Sequence, residues 1–228
     1  MLEPILVFDL DDTLYPERQF ALSGFAAAER WVQASLGLTG LAADMTRLLD
    51  QGHLGQLFRL ALAERLPDHG PEHLAGLLEA YRSHVPTLTL FEDAAWALAH
   101  FGAQLKLGLI TDGTHRVQMR KVEALGVAGH FREIIYTDAL GGGRAYAKPH
   151  HQSYRLIEAA LGGSGARFVY IGDNPAKDFL APNALGWLTV MIDRPGAQRI
   201  HAAAKPVEGG HPQHTIASLR DLAAVLEL

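Results

Sequence analysis

The sequence contains no cysteine. That absence excludes a disulfide framework, a thiolate zinc site and a thiol nucleophile together. Charge is sparse as well: 20 basic and 25 acidic residues in 228 leave a formal net charge of −5, with no Lys/Arg block. Such a chain has no global attraction for nucleic acid, so no nucleic-acid partner is expected. Only five of the basic residues are lysines, which makes the position of each informative. Long apolar runs are missing too. The longest uncharged stretch, Phe179–Ile192, is fourteen residues and is interrupted by Pro182 and Gly186. Crossing a bilayer takes about twenty apolar residues, so no membrane partner is expected. The opening residues MLEPILVFDLDD show no basic segment and no small-residue cleavage site. With the lack of cysteine, this makes a cytoplasmic location the expectation.

What is present is an ordinary globular balance, 48% hydrophobic and 20% charged. The length suffices for one well-buried core with a small accessory domain. Five short apolar runs read as buried strands: Ile5–Phe8, Leu105–Ile110, Glu133–Tyr136, Phe168–Ile171 and Trp187–Ile192. They are continuous rather than alternating, as in a parallel sheet covered on both faces. Helical patterns at His115–Leu125, His150–Leu161 and Ala176–Leu185 separate most of them. The reading is an α/β fold, a doubly wound (Rossmann-like) parallel sheet of about five strands. Ser218–Leu228 reads as a final helix with Ser218 as N-cap.

Pro16 to about Pro86 breaks the alternation, with helical patterns and no strand. Leu22, Phe25, Val32 and Leu36 share one face, as do Leu54, Leu57, Phe58, Ala61 and Leu62, and again Leu74, Leu77, Leu78, Tyr81 and Val85. Gly37–Gly40 and Pro67–Pro71 read as breaks between helices. The expected organisation is a core of residues 1–15 and 87–228 with an inserted all-helical cap domain, 16–86. The competing reading is an enlarged crossover lying on the sheet.

Ligands of open α/β sheets collect beyond the carboxyl ends of the strands. The first strand is followed by Asp9-Leu10-Asp11-Asp12-Thr13, the second ends in Thr111-Asp112-Gly113, the third leads past Gly141-Gly142-Gly143 to Lys148-Pro149, and the fourth ends in Gly172-Asp173-Asn174 with Asp178 beyond. Acidic residues gathered at one sheet edge repel one another, at a cost of several kcal/mol per poorly compensated ion. A hard divalent cation relieves this, and Mg²⁺ suits carboxylates, a backbone carbonyl and substrate oxygens. Lys148 is the obvious cation for an anionic substrate, and Thr111 with nearby N–H groups can hold phosphate oxygens. Together these describe a phosphoryl site. Asp9 and Asp11, two apart, share a face. One carboxylate there can attack phosphorus, and a neighbour can protonate the leaving oxygen and deprotonate water.

These residues resemble the haloacid dehalogenase (HAD) superfamily of hydrolases. LVFDLDDTLY, LGLITDGT, AKPH and YIGDNPAKD are similar, in order and spacing over Ile5–Asp178, to its four motifs, and the helical insert resembles its type 1 cap. The resemblance implies Asp9 as nucleophile and Asp11 as general acid/base. It implies Mg²⁺ held by Asp9, the Asp11 carbonyl and Asp173, phosphate oriented by Thr111 and Lys148, and Asp178 in an outer or water-mediated position. Asp112 departs from the commonest pattern, Asn; its backbone N–H, rather than its carboxylate, is expected at phosphate. An acid at position 11 favours phosphate esters over carbon–halogen cleavage, because a halide leaves without a proton. Phosphonatases use a cap lysine, and Pro16–Pro86 contains none; a phosphomutase is harder to exclude.

The expected activity is therefore a Mg²⁺-dependent phosphatase acting on a small phosphorylated metabolite. Similarity to phosphatases associated with surface-sugar biosynthesis favours a sugar phosphate, and DLDDTLY, similar to pyrimidine 5′-nucleotidases, makes a nucleoside monophosphate the alternative. A catalytically idle relative that binds a phosphorylated ligand or a partner is the rival from another class. Arg18 and Gln19 are candidate substrate contacts, against a solvated helix start. Asp12 and Thr13 read as a turn cap, GGGRAYAKP lacks the features of a P-loop, and the twelve histidines form no recognisable zinc ligand set. Trp31, Trp96 and Trp187 read as core. The sequence says nothing of oligomeric state.

Overall fold

The computed structural model describes residues 3–141, 143–162, 165–201 and 203–227. Gly142 of the triple glycine and the end of the expected last helix, Leu228, lie outside them. The chain divides into two compact units, Met1–Pro16 with Thr89–Leu228, and Glu17–Leu88.

The first unit is built on a parallel sheet with strands β1 (Pro4–Phe8), β2 (Leu107–Thr111), β3 (Glu133–Tyr136), β4 (Arg167–Gly172), β5 (Leu188–Ile192) and β6 (His214–Ile216), in spatial order β3-β2-β1-β4-β5-β6. The sheet thus has six strands rather than five. The added strand is three residues long, with only Ile216 buried, too short for a periodic signal. Phe8 lies opposite both Leu109 and Ile171. β1 therefore sits between β2 and β4, and strand order reverses at the β1/β4 boundary, where such sheets open a crevice. β1 and β2 are buried at every residue, because helices cover both faces.

The second unit consists of α1 (Glu17–Leu36), α2 (Leu41–Asp50), α3 (Leu57–Arg65) and α4 (Pro71–Ser83). Gly37, at φ 68°, follows α1, and α4 opens on Pro71, whose fixed φ suits a first helical turn. The apolar faces overrun at their ends. Leu22 and Leu54 are exposed, and Val85, beyond α4, is 88% exposed. Phe25, Val32, Leu62 and Leu77 form the buried interior.

The remaining helices belong to the sheet unit: α5 (Glu92–Gly102), which sequence patterning did not register, α6 (His115–Leu125), α7 (Gln152–Leu161), α8 (Leu180–Ala184) and α9 (Leu222–Leu226). α8 is shorter than its apolar pattern, and α9 follows a 3₁₀ turn at Leu219–Asp221. Ser218 Oγ accepts from Arg220 N–H at 3.2 Å and Ser218 N–H donates to Asp221 Oδ2 at 3.0 Å, a reciprocal cap. Trp187 is core, stacked on Phe168 at 4.5 Å. Trp31 and Trp96 are only half-buried, and Trp96 stacks on His100.

Candidate active site

Three neighbouring strands, β2, β1 and β4, each lead into polar groups at their carboxyl ends. Asp9 continues the β1 ladder, donating its N–H to Ile171 O at 2.8 Å, so its side chain is placed by the sheet rather than by a loose loop. Asp173 directly follows β4. With Asp178 they form the one group of His, Asp or Glu side chains, among the described residues, whose oxygens lie close enough to share an ion, all within 4.8 Å and all buried. Gly172 makes this approach possible: a Cβ there would meet Asp178 Oδ2 at 2.6 Å. Gly172→Ala is therefore expected to cost about 1–3 kcal/mol. Urea unfolding measures it, and an unchanged midpoint would contradict the close packing.

Lys148 threads into the cluster. Its Nζ donates to Asp9 Oδ1 at 2.6 Å and to the Tyr170 hydroxyl at 2.9 Å, and it lies 2.8 Å from Asp178 Oδ1 as an ion pair. The Asp178–Lys148 contact is close without hydrogen-bond alignment, so Asp178 Oδ1, like Asp9 Oδ2, has no hydrogen-bond partner. The Lys148 ammonium pairs with two of the three carboxylates, and the Lys177 charge also acts on Asp9 and Asp173. Burial, offset by Lys148 and reinforced by Asp178, pushes the Asp9 carboxyl up to about 6. Burial together with Asp178, Asp9 and Asp12 pushes Asp173 well above the usual carboxylate range. Burial disfavours the Lys148 charge, yet Asp178 and Asp9 outweigh it and hold that lysine well above its ordinary value. Two unpartnered buried oxygens in an all-oxygen, negatively unbalanced cluster fit a hard divalent cation.

Asp11 is turned to a different set of partners. It accepts from Lys121 Nζ at 2.7 Å, the Tyr15 hydroxyl at 2.5 Å and Gln118 Nε2 at 2.9 Å. Burial opposes its ionisation, but the Lys121 charge and these three hydrogen bonds outweigh burial and hold the carboxyl below its usual range. Thr111 Oγ1, fully buried at the end of β2, accepts from the same Gln118 amide at 2.5 Å. Asp112 is engaged by partners of its own: Oδ1 accepts from Thr137 Oγ1 at 2.8 Å and from Lys148 N–H at 3.1 Å, and Oδ2 lies 3.5 Å from Lys177 Nζ. Burial acts against its charge, while Lys148 and Lys177 more than compensate.

Asp12, at φ 52° in the turn after β1, also reaches beyond that turn: its carboxylate accepts from Ile200 N–H at 3.0 Å, on the segment after β5. That segment supplies two arginines that sequence reasoning missed. Arg194 donates to the Thr13 carbonyl at 2.9 Å while gripping both oxygens of Asp93, and Arg199 donates to the Asp173 carbonyl at 3.0 Å. Gln118, Lys121 and Lys177 were missed as well. The available signal was on α6, where Met119 is 48% exposed while Gln118 and Lys121 are buried, the reverse of ordinary amphipathic order. Arg18 and Gln19 lie in the first turn of α1, in the helical unit, where Arg18 pairs with Asp50 at 2.5 Å. His73 accepts from Gly70 N–H, and His150 stacks on His151 at 4.7 Å. No helix among the described residues is long and apolar enough to cross a membrane.

Residues 4–186 match the family described as haloacid dehalogenase-like hydrolase. The chain belongs to that family. Among HAD-like hydrolases it is 27% identical, over 97% of its length and 96% of the relative's, to a glyceraldehyde 3-phosphate phosphatase of Methanocaldococcus jannaschii. It is 30% identical, over 74% of its length and 67% of the relative's, to an (S)-2-haloacid dehalogenase of Xanthobacter autotrophicus. In fold it resembles the HAD-hydrolase YfnB of Bacillus subtilis, solved bound to magnesium, with a TM-score of 0.71 and 16% identity over the whole of both chains. The HAD α/β architecture and a hydrolytic activity follow for this chain.

Proposed function

We propose that this HAD hydrolase is a Mg²⁺-dependent phosphomonoesterase acting on a small phosphorylated metabolite, a sugar phosphate foremost, through a phosphoryl group carried on Asp9. The observation that supports it is a pair of carboxylates two residues apart with separate environments. Asp9 keeps one unpartnered oxygen beside Lys148, and Asp11 is held by three donors. Environments that set two carboxyls apart are the usual basis for dividing nucleophile from proton carrier.

Asp9, Asp173 and the Asp11 carbonyl would hold the metal, with Asp178 beside them. Mg²⁺ bound there supplies positive charge that the carboxylates and an arriving phosphate both require. An Asp9 carboxylate oxygen attacks phosphorus, the ester P–O bond breaks, and the leaving oxygen takes a proton from Asp11. Water then gives a proton to Asp11 as its oxygen bonds phosphorus, and the P–O bond to Asp9 breaks. Lys148 steadies Asp9, and the Thr111 hydroxyl and the Asp112 N–H orient phosphate oxygens. Arg18 and Gln19, in the first turn of α1, are the candidate substrate contacts of the helical unit. Carbon–halogen cleavage would give Asp11 and its three donors no task, because halide needs no proton. The curated phosphatase relative acts, by its name, on a three-carbon sugar phosphate, which favours that substrate class over nucleotides.

Phosphate release across sugar phosphates, phosphorylated acids and nucleoside monophosphates, beside halide release from 2-chloropropionate, tests the reading. Phosphate from sugar phosphates, dependent on Mg²⁺ and abolished by EDTA, is the expected result. Halide release without phosphate release would overturn it. Mg²⁺ at a hundred times its Kd is also expected to stabilise the fold by about 2.7 kcal/mol; a melting temperature indifferent to Mg²⁺ would refute the metal assignment.

A further inference from the structure

Gln118 and Lys121 are polar groups turned inward from α6, 1% and 4% exposed. Burying an amide and an ammonium on a helix face is costly unless both find partners, and here both converge on Asp11. Lys121 Nζ and the Tyr15 hydroxyl each donate to Oδ1, at 2.7 and 2.5 Å, while Gln118 Nε2 donates to Oδ2 at 2.9 Å. A carboxylate offers about four lone-pair sites, two on each oxygen. Oδ1 is therefore filled, and Oδ2 retains one open site. The amide on Oδ2 is also the one that bonds Thr111 Oγ1 at 2.5 Å, so the open site is fixed relative to the hydroxyl ending β2.

We propose that Gln118, Lys121 and Tyr15 are positioning residues that make Asp11 Oδ2 the single proton-exchanging atom and hold its open lone pair towards the edge beside Thr111. The inference rests on the phosphomonoesterase reading of Asp9 and Asp11. In phosphoryl transfer the Oδ2–H bond breaks as the leaving oxygen takes the proton and its bonding pair from phosphorus. In hydrolysis the same Oδ2 receives the proton of the attacking water, and the electron pair of the acyl-phosphate P–O bond returns to Asp9. Both half-reactions thus use one atom, and no third group has to relay the proton.

The test measures kcat/KM, which reports phosphoryl transfer to Asp9, over phosphate monoesters whose leaving alcohols run from alkyl to nitrophenyl. Lys121→Met removes the charge that keeps Asp11 ionised, so the loss it brings reports aim and not proton affinity: about a hundredfold is expected with an alkyl leaving group and only about threefold with nitrophenyl, because proton donation matters least when the leaving oxygen is a weak base. In an Asp11→Asn background the same substitution is expected to add no further loss. Equal losses for every leaving group, or an undiminished loss in the Asp11→Asn background, overturn the inference. Acid-quench trapping of labelled phosphate on wild-type Asp9 separates the two levels. No trapped phosphate sinks the phosphomonoesterase reading itself, whereas trapped phosphate with leaving-group-independent losses sinks the positioning role alone. If Lys121→Met does not fold, Tyr15→Phe removes one Oδ1 donor with little change of shape. It must then show the same bias towards alkyl substrates, and a loss without that bias overturns the inference equally.

Discussion

Asp9→Asn is expected to remove turnover by on the order of 10⁴-fold or more while leaving the sheet intact. The side chain sits at the end of the fully buried β1, and its backbone N–H to Ile171 O bond does not depend on the carboxylate. Asn keeps the shape but is a far poorer nucleophile. The substitution also removes one negative charge from a cluster of three buried carboxylates, two of them paired with Lys148. Lys148 keeps Asp178 at 2.8 Å and the Tyr170 hydroxyl at 2.9 Å, so no orphaned cation results. Metal-free Asp9→Asn is therefore expected to melt at or above the wild-type temperature while its turnover falls to background. Substantial Mg²⁺-dependent phosphate release by the variant would refute Asp9 as nucleophile. Lost activity accompanied by unfolding would show that the residue holds the sheet edge together.

Lys148→Met is the complementary case, with its largest effect on stability. The lysine side chain is fully buried and pairs with Asp9 at 2.6 Å and Asp178 at 2.8 Å. Met fills much of the same volume, so the loss is chiefly electrostatic. Removing one partner of a buried ion pair costs about 3–5 kcal/mol, equivalent in a chain of this size to roughly 6–20 °C in Tm. The pH dependence has a definite sign. Asp9 already binds its proton near pH 6 with the ammonium present, far more tightly than in an unfolded chain, and without Lys148 that affinity rises further. A carboxyl with raised folded-state affinity destabilises the fold when ionised and ceases to do so when protonated. The metal-free variant is therefore expected to be weakest above pH 7 and to recover as pH falls through 6. Mg²⁺ is expected to restore part of the deficit at neutral pH. Urea unfolding at pH 7.5 and 5.5, with EDTA or Mg²⁺, measures all three. A pH-independent deficit that Mg²⁺ leaves untouched would mean that Lys148 acts by packing and not by charge.

Much of the sheet was legible because its strands are short, continuous apolar runs ended by polar residues. Glu133–Tyr136 and His115–Leu125 have the bounds that local pattern suggests. α5 and β6 were not legible. The first is an alanine-rich helix with a weak polar face, and the second is three residues long and exists only because β5 offers it an edge. The helical faces were legible in their middles and misleading at their ends, since Leu22, Leu54 and Val85 are apolar residues left exposed.

Which residues follow each apolar run can be read along the chain: Asp9 and Asp11 after β1, Thr111 and Asp112 at β2, Asp173 after β4, with Lys148 in the segment between β3 and β4. Those positions are local, and a parallel sheet carries such ends to one edge whatever the rest of the chain does. The surroundings of each group arise from long-range packing. Gln118 and Lys121 meet Asp11 across 107 and 110 residues, Arg194 reaches the Thr13 carbonyl across 181, and Lys148 enters the aspartate cluster across 139 from Asp9. Hydrogen bonds and ion pairs act over a few ångströms of space and leave no periodic trace along the chain. The charge state and aim of Asp11 therefore emerge only when α6 packs against the turn after β1.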